Sequence, residues 1–290
     1  MGRLTQRAAI VRLDGAGRSG ARDTVVAEEP LEIRVGGRQI AVTMRTPGDD
    51  FDLVAGYLVG EGVVRKREQL ATMRFCDHAS CAGVPGAEDV EELHDPYNVV
   101  DVDLAAGVAP PSWSLDRTTY TTSACGVCGK TSIAAVRANA HWSVEDDPVR
   151  VQPETLYGLP EAMREHQRLF AKTGGLHAAG VFAMDGRLLC LREDVGRHNA
   201  VDKVVGWALR EDRLPLRGCL LAVSGRASFE LVQKAAAAGI PVLAAVSAPS
   251  SLAVELAQAA GLTLVGFVRG HTANVYSRGD RIVDGAPVSG

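Results

Sequence analysis

The sequence lacks the features that would place the protein in a membrane or outside the cell. Its longest apolar stretch, around residues 218–223, falls far short of the roughly 20 residues that cross a bilayer. The first residues contain no apolar core followed by a small-residue cleavage site, so we read no secretory signal. Six cysteines among 290 residues are too few for a disulfide scaffold. We therefore expect a cytoplasmic protein with reduced thiols.

The chain also lacks the charge and the loops of common nucleotide-binding proteins. Its 31 basic and 35 acidic residues give a net charge of −4, which provides no general field for nucleic acid. GxxxxGK[ST] does not occur, and the GxGxxG match at residues 15–20 has no predicted strand before it and no predicted helix after it. No histidine is followed two positions later by glutamate, which excludes the usual zinc deaminase chemistry. Any anionic ligand must therefore be held by local donors.

The composition and a charged connector that ends in proline suggest two folded lobes. Hydrophobic residues make up 46% and charged residues 23% of the chain, as in ordinary globular proteins. Residues 1–20 are rich in Gly, Arg and Ala and predict a flexible tail, with order beginning near Asp23. The charged connector at residues 143–148 ends in proline and predicts the lobe boundary. The divisions are thus 1–20, 21–147 and 148–290.

The two lobes have different patterns. In the first, alternation across Gly36 and Gly37 predicts a hairpin, helical spacing follows over 48–60, and 97–103 reads as a strand. This is a small mixed α+β lobe. In the second, helices at 153–172, 197–210, 228–238 and 250–260 are interleaved with strands at 178–184, 187–192, 219–223, 241–246 and 262–268. Such interleaving predicts a mostly parallel sheet covered on both faces, a three-layer α/β/α fold.

Residues 121–130, TTSACGVCGK, contain the segment with the clearest chemistry. Cys125 and Cys128 stand three positions apart among glycines and hydroxyl residues, just before a helical pattern. A helix N-terminus and the nearby Lys130 should lower the pKa of such a thiol and raise its thiolate fraction, which suits sulfur transfer.

Other uses of the two thiols remain open from spacing alone. A structural pair or half of a zinc site is possible, with Cys76, His78 and Cys81 as the other half, although that spacing matches no common finger. Thioredoxin-like exchange is a further alternative. Cys190 and Cys219 lie within apolar strands and are interpreted as packed thiols.

Polar clusters follow or precede the predicted strands of the second lobe. They lie at 173–177, 192–199, 224–228, 247–251 and 266–272. Because strand ends of an open α/β sheet meet at one crevice, we expect these clusters to converge. Ser224, Gly225 and Arg226 suggest an anion cradle before a helix, while Phe267 could stack on a base and Arg269 could bind a phosphate.

Several long motifs, in order along the chain, resemble the formate dehydrogenase accessory sulfurtransferase family, FdhD. The resemblance covers nearly the whole chain from residue 29 onward. It rests on the segments RTPGDDF (45–51), SACGVCGK (123–130), GGLHAAG (174–180), REDVGRHNAVDK (192–203), SGRASFE (224–230) and GFVRG (266–270). The segment with Cys76, His78 and Cys81 is not part of this pattern, so its role stays open.

The resemblance implies a C-terminal lobe of cytidine deaminase-like type without deaminase chemistry, and a homodimer. It implies a sulfurtransferase in which Cys125 becomes a persulfide with the assistance of Cys128. Sulfur would come from a cysteine desulfurase and pass to the bis-molybdopterin guanine dinucleotide form of the molybdenum cofactor, which the formate dehydrogenase catalytic subunit needs. The family's cofactor-binding stretch aligns with Phe267, Val268, Arg269, Gly270, His271 and Thr272.

Within this hypothesis, His177, Arg226, Arg269 and His271 position the phosphates and the pterin, together with Ser224 and Gly225. The chain itself would hold no metal. Two alternatives are a zinc-binding cofactor chaperone without sulfur transfer and a thiol–disulfide oxidoreductase.

Overall fold

The computed structural model describes residues 3–15, 17–76, 96–111 and 141–283. The strands are β1 (Thr5–Asp14), β2 (Gly17–Val26), β3 (Glu29–Val35), β4 (Arg38–Arg45), β5 (Leu70–Phe75), β6 (Val99–Leu104), β7 (His177–Ala183), β8 (Leu188–Asp194), β9 (Cys219–Val223), β10 (Val242–Ala245), β11 (Thr263–Arg269) and β12 (Thr272–Ser277). The helices are α1 (Asp50–Gly60), α2 (Pro153–His166), α3 (Arg168–Thr173), α4 (Arg197–Arg210), α5 (Phe229–Ala237) and α6 (Ser251–Ala260). Single 3-10 turns lie at Arg67–Gln69, Pro96–Asn98 and Gly279–Arg281.

The N-terminal segment is an antiparallel hairpin, where we expected a flexible tail over residues 1–20. Strands β1 and β2 pair from Thr5 opposite Val26 to Asp14 opposite Gly17, as a sheet of two strands. The expectation of a tail was wrong. The strands were not recognised because nearly every side chain on this hairpin is exposed or half-exposed. Without a buried face, the sequence carries no alternation that would signal the strands.

The first lobe contains a four-stranded sheet in the order β4-β3-β6-β5. The predicted hairpin is confirmed: β3 and β4 pair across Gly36 and Gly37, both of which have positive φ. Alternate residues of β3, Leu31, Ile33 and Val35, are buried. The strand predicted at 97–103 is β6, while β5 was not predicted.

The second lobe contains a six-stranded sheet in the order β12-β11-β10-β9-β7-β8. Strands β9, β10 and β11 are parallel, as alternating helices predict. Strand β7 is antiparallel to both of its neighbours, and β12 is antiparallel to β11. The sheet is therefore more mixed than expected, because β7–β8 and β11–β12 are joined by turns too short for a crossover.

Both faces of this sheet are covered by helices. In β9, Leu221 and Val223 belong to one apolar cluster with residues of α4, α5 and α6. Leu220 and Ala222 point the opposite way, into a second cluster with residues of α2. This alternation confirms the mixed α/β fold. In the described part of the chain, none of the helices has both the length and the apolar character needed to cross a membrane.

Helices α1 and α4 join the two sheets through a close helix crossing. A Cβ added to Gly56 would lie 1.9 Å from the carbonyl oxygen of Asp202, and one added to Gly206 would lie 1.8 Å from that of Asp52. Glycine is required at both positions because backbone meets backbone. One apolar cluster consequently extends from Leu31 on β3 through both helices to β9.

The helix predicted over 153–172 is broken at Gln167. Helix α2 ends at His166 and α3 begins at Arg168, and Gln167 has φ −78° and ψ 75°. The carboxylate of Glu193 explains the break, since it accepts hydrogen bonds from the backbone of Leu169 (2.9 Å) and Phe170 (2.7 Å). This contact from β8 caps the first turn of a new helix.

Candidate functional site

One edge of the six-stranded sheet collects the polar clusters of the second lobe. It consists of His177 and residues 194–198, 224–228, 246–250 and 266–269, and is named the carboxyl edge below. Antiparallel pairing sets His177 opposite Asp194, and parallel pairing sets Ala245 beside Val223. The backbone of Phe267 donates to the carbonyl oxygen of Ser247 at 3.2 Å. Sequence segments far apart along the chain thus meet in one place.

His177, Ser224 and Gly225 lie together at the middle of the carboxyl edge. The Ser224 Oγ accepts a hydrogen bond from the backbone of Ala178 at 2.9 Å, and the Ser224 backbone donates to the Ala178 carbonyl at 3.0 Å. A Cβ at Gly225 would lie 3.2 Å from the Nδ1 of His177. Gly225 therefore leaves room for the imidazole, while Arg226 next to it is exposed.

The surroundings of His177 favour the neutral form of its imidazole. Burial lowers its pKa below the ordinary 6.5, and the positive charges of Arg197 and His198 lower it further. A neutral imidazole can both donate and accept a hydrogen bond, so His177 can bind a ligand without adding a positive charge to the site.

Arg197 is a cation without an ion pair among the described residues. It begins α4 directly after β8, and its Nε is buried without a hydrogen-bond partner there. Its side chain approaches Gly225, with the Cδ 3.8 Å from an added Cβ. A guanidinium in this position offers an anion both charge and several N–H donors. Sequence reasoning marked the cluster 192–199 but did not single out Arg197.

His198 is held by partners on α5 and just before it. Its Nε2 lies 2.8 Å from the Oε2 of Glu230 and 3.1 Å from the Oγ of Ser228. Burial raises the pKa of Glu230, but the hydrogen bond and charge of His198 outweigh it and lower that pKa overall. The pair adds a polar group beside Arg197 that sequence reasoning also missed.

The predicted stretch from Phe267 to Thr272 divides between core and surface. Phe267 is half-buried with φ +53°, and Val268 is 1% exposed within the second apolar cluster. The residues of the β11–β12 turn, Arg269, Gly270, His271 and Thr272, are exposed. The ring of His271 meets the ring of Tyr157 on α2 edge-on, with 5.9 Å between centroids. The turn therefore lies beside α2.

A cavity of about 600 Å³ opens next to the carboxyl edge. Its walls are α2, α3, the segment 174–177 and the sheet edge, and His177 and Ser224 line it. This volume is within the roughly 300–1,000 Å³ of small-molecule sites. Glu161, which lines the cavity, is one helical turn after Tyr157, so the cavity adjoins the β11–β12 turn.

Much of the cluster 192–203 serves structure instead. Asp194 and Lys203 form a buried ion pair at 2.8 Å, with side-chain exposures of 0% and 1%. Arg192 pairs with Asp52 on α1 at 2.9 Å. Thr46 joins the same network: its Oγ accepts from the backbone of Val195 at 3.1 Å. The motifs 45–51 and 192–203 thus fasten the two lobes together.

The cysteines predicted to react, Cys125 and Cys128, lie outside the described residues, as do His78 and Cys81. Among those described, Cys76 is 6% exposed, and burial raises the pKa of Cys190 to about 12 and also raises that of Cys219. The interpretation of Cys190 and Cys219 as packed thiols agrees with this. Within the described ranges, no group of three or more His, Cys, Asp or Glu side chains is arranged to hold a metal.

Fold and site together define a mixed α/β protein with an edge suited to an anionic ligand. The model of the FdhD/NarQ family matches residues 26–283. The chain belongs to this family, as its motifs predicted.

Relatives of known name match over nearly their full length. The chain is 56% identical over 283 residues to a protein of Streptomyces coelicolor named sulfur carrier protein FdhD, covering 97% of each chain. A protein of the same name from Mycobacterium tuberculosis is 56% identical over 260 residues, covering 90% of this chain and 92% of that one. Among solved structures, a protein of Desulfotalea psychrophila assigned as a formate dehydrogenase accessory protein matches with a TM-score of 0.73 at 24% identity, over 97% of this chain and 100% of that one. That likeness supports the fold.

Proposed function

We propose that this chain is a sulfurtransferase that receives sulfur from a cysteine desulfurase and passes it to the bis-molybdopterin guanine dinucleotide cofactor of formate dehydrogenase. The observation that carries the proposal is the 56% identity, over 97% of both chains, to a protein named as a sulfur carrier. The CxxC segment at 125–128 supplies the thiols that such a carrier needs.

In the proposed reaction, the thiolate of Cys125 attacks the outer sulfur of the desulfurase persulfide. A new S–S bond forms on Cys125, and the desulfurase cysteine leaves as a thiolate. The thiolate of Cys128 then attacks the Sγ of Cys125, and the outer sulfur leaves as hydrosulfide toward the cofactor's metal. A cellular dithiol then reduces the resulting Cys125–Cys128 disulfide to two thiols, and the dithiol is itself oxidised to a disulfide.

The carboxyl edge would hold the cofactor as the substrate. Its phosphates need donors in a chain whose net charge is negative, and Arg197, Arg226 and Arg269 provide guanidinium groups there. His177, Ser224 and Gly225 would complete the contacts. The same proposal includes a cytidine deaminase-like C-terminal lobe, a homodimer, and action in the cytoplasm.

Mass spectrometry of the intact full chain tests the sulfur step. After incubation with a cysteine desulfurase and cysteine, we expect the wild type to gain about 32 Da, one sulfur atom. Cys125→Ala should not gain it, whereas the matched control Cys219→Ala, at a thiol with a raised pKa, should. Cys128→Ala should keep the added sulfur longer, because the hydrosulfide is no longer released.

Three outcomes contradict the proposal. One is an adduct that persists in Cys125→Ala. Another is about one zinc per chain with no adduct, which supports a zinc-binding chaperone. The third is reduction of insulin without an adduct, which supports a thiol–disulfide oxidoreductase.

A further inference from the structure

The N-terminal hairpin of β1 and β2 has one face that is both basic and apolar. Paired residues of an antiparallel ladder share a face, so the register places Arg7, Arg18 and Arg22 on one side, together with Val11 and Leu13. This side, named the basic face below, carries no acidic residue. Its two large apolar side chains are 57% and 71% exposed. The basic face therefore combines exposed apolar surface with arginine, as protein contacts do.

The described part of the chain leaves the basic face uncovered. The hairpin contacts the rest of the protein at its base, where Leu4 lies 3.3 Å from a Cβ added at Gly48 and Val26 lies 3.6 Å from one added at Gly175. The three arginines are exposed and form no ion pair with a described residue. A two-stranded hairpin is only marginally stable by itself, so we expect another surface to cover it.

Helix α2 has a surface that is complementary to the basic face. Glu154, Glu161 and Glu165 follow one another at spacings of seven and four residues, so they form a stripe along the exposed side of the helix. None of them forms an ion pair within the described ranges. Gly158 lies between the first two, and no described atom lies within 4 Å of a Cβ added there. This acidic stripe thus has an open position among its charges.

The two surfaces match in length and in order. Along the hairpin, Val11 lies between the levels of Arg22 and Arg18, which are about 13 Å apart at roughly 3.3 Å per residue. Along α2, Glu154 and Glu165 are about 16 Å apart at roughly 1.5 Å per residue. An arginine can therefore meet a glutamate at each end while the apolar middle of the hairpin lies over the glycine.

The distribution of charge favours a second copy of the chain as the partner. Residues 1–27 contain five arginines and two aspartates, a net charge of +3. Of the chain's 31 basic and 35 acidic residues, the remaining 26 and 33 give −7, so a basic arm is attracted to the acidic body of another copy. The arm contains neither lysine nor aromatic residues, which are typical of contacts with membrane surfaces and single-stranded nucleic acid.

We infer that the basic face of the hairpin docks on the acidic stripe of a second copy, and that two chains exchange their arms in this way. A two-fold arrangement forms the contact twice, since each chain supplies one arm and one stripe. The inference rests on the homodimer included in the proposed function, and it names the surfaces that form that dimer. The family model begins at residue 26, so the hairpin lies almost entirely before the matched residues.

Sedimentation velocity of the full-length chain tests the contact by exchanging charges. One variant carries Arg18→Glu and Arg22→Glu, and the other carries Glu154→Arg and Glu165→Arg. Each variant places like charges face to face, so we expect its dimer dissociation constant to rise at least about tenfold. An equimolar mixture of the two should dimerise like the wild type, because both contacts of the mixed dimer again join opposite charges.

Two control variants carry the same changes of charge away from both surfaces. One combines Arg12→Glu, on the other face of the hairpin, with Arg217→Glu. The other combines Glu211→Arg with Glu255→Arg, and all four residues are exposed. Both controls should dimerise like the wild type. Circular dichroism checks that every variant is folded.

Restored association in the mixture supports the inference, because neither variant alone has two complementary surfaces. A wild-type chain that stays monomeric overturns it, as does a dimer that the charge reversals leave unchanged or a mixture that stays monomeric. A monomeric wild type that binds phosphatidylserine vesicles through the same arginines would assign the arm to membranes instead.

The assay involves no cysteine chemistry, so it separates this inference from the sulfur step. A failed exchange with an intact sulfur adduct would reject the inference alone. Loss of the adduct with an intact exchange would reject the proposed sulfur transfer alone.

Discussion

Two regions of the protein use charged side chains for opposite purposes. One is the crossing of helices α1 and α4, and the other is the carboxyl edge. Around these helices, charges are paired: Lys203 on α4 bonds Asp194 on β8, and Asp52 on α1 bonds Arg192 on β8. At the edge, the Nε of Arg197 is buried without a hydrogen-bond partner among the described residues. Arg192 and Arg197 are five positions apart, yet one fastens two lobes and the other is available to a ligand. Pairing, more than residue type, separates structural groups from binding groups here.

The buried ion pair offers the strongest test of this contrast. Asp194→Asn removes the charge that Lys203 needs, and it also weakens the carboxylate's bonds to the backbone of Thr46 and Gly196. We expect the free energy of unfolding to fall by about 3–5 kcal/mol, because an uncompensated charge stays buried. Urea denaturation of the full chain measures this.

Asp103→Asn is the matched control. Asp103 pairs with Arg74 on the surface, where both side chains are more than 40% exposed. Exposed pairs contribute roughly 0–1 kcal/mol, so the control should lose no more than that. Equal losses in the two variants would remove the distinction between the two regions.

Substitutions at two glycines compare the same regions by the space available for a methyl group instead of by charge. Gly206→Ala drives a methyl group into the backbone of α1, and we expect a loss of about 2 kcal/mol after the gain in helix propensity is subtracted. Gly225→Ala meets the imidazole of His177, which can shift, so stability should change by less than about 1 kcal/mol.

Urea denaturation and the NMR signals of His177 measure both effects. The expected result is that Gly225→Ala moves the His177 signals with little change in stability, while Gly206→Ala does the reverse. Similar destabilisation by both would indicate that the carboxyl edge is as rigidly packed as the helix crossing.

The smallest expected effect concerns the titration of His177. Arg197→Leu removes one of the positive charges that lower its pKa, so the midpoint should move up, while remaining below 6.5 because burial is the larger cause. The control Arg226→Leu removes a cation of the same edge that does not contribute to this shift, and should leave the midpoint unchanged. NMR titration of the imidazole measures both.

The same shift links stability to pH. Because the pKa of His177 is lowered on folding, the unfolded chain binds more protons than the folded one between that pKa and 6.5. The contribution of His177 to stability therefore falls as the pH decreases through this window, and is constant above it. His177→Gln should remove that slope, and an unchanged slope would contradict the assignment.

The sequence predicted the regular elements well where one face is buried. Helix α4 spans 197–210 as expected, and the turn at Gly36 and Gly37 joins β3 to β4. The strands of the N-terminal hairpin were missed because Val11 and Leu13 are 57% and 71% exposed, so no buried alternation exists. The break at Gln167 was missed because its cause, Glu193, comes from a distant strand.

The candidate site was predicted only in outline. Strand ends marked His177, Ser224 and Gly225, because polar residues after apolar runs are a local signal. A single glutamine within a helical pattern carries no such signal, and Gln167 stands out only once its burial and its place at the break between α2 and α3 are known. Likewise, the sequence could not separate Arg197 from Arg192, since their partners lie on other parts of the chain.

Helix α4 contributes to both regions along its length. Its first turn carries Arg197 and His198 at the carboxyl edge, and Gly206 near its end lies against the backbone of α1. A ligand that restrains the first turn therefore acts on a helix whose other end packs against α1, which supports the four-stranded sheet. By mass action, such an occupant would stabilise both lobes at once, so the folding equilibrium of the distant sheet would report on whether the protein carries its cargo.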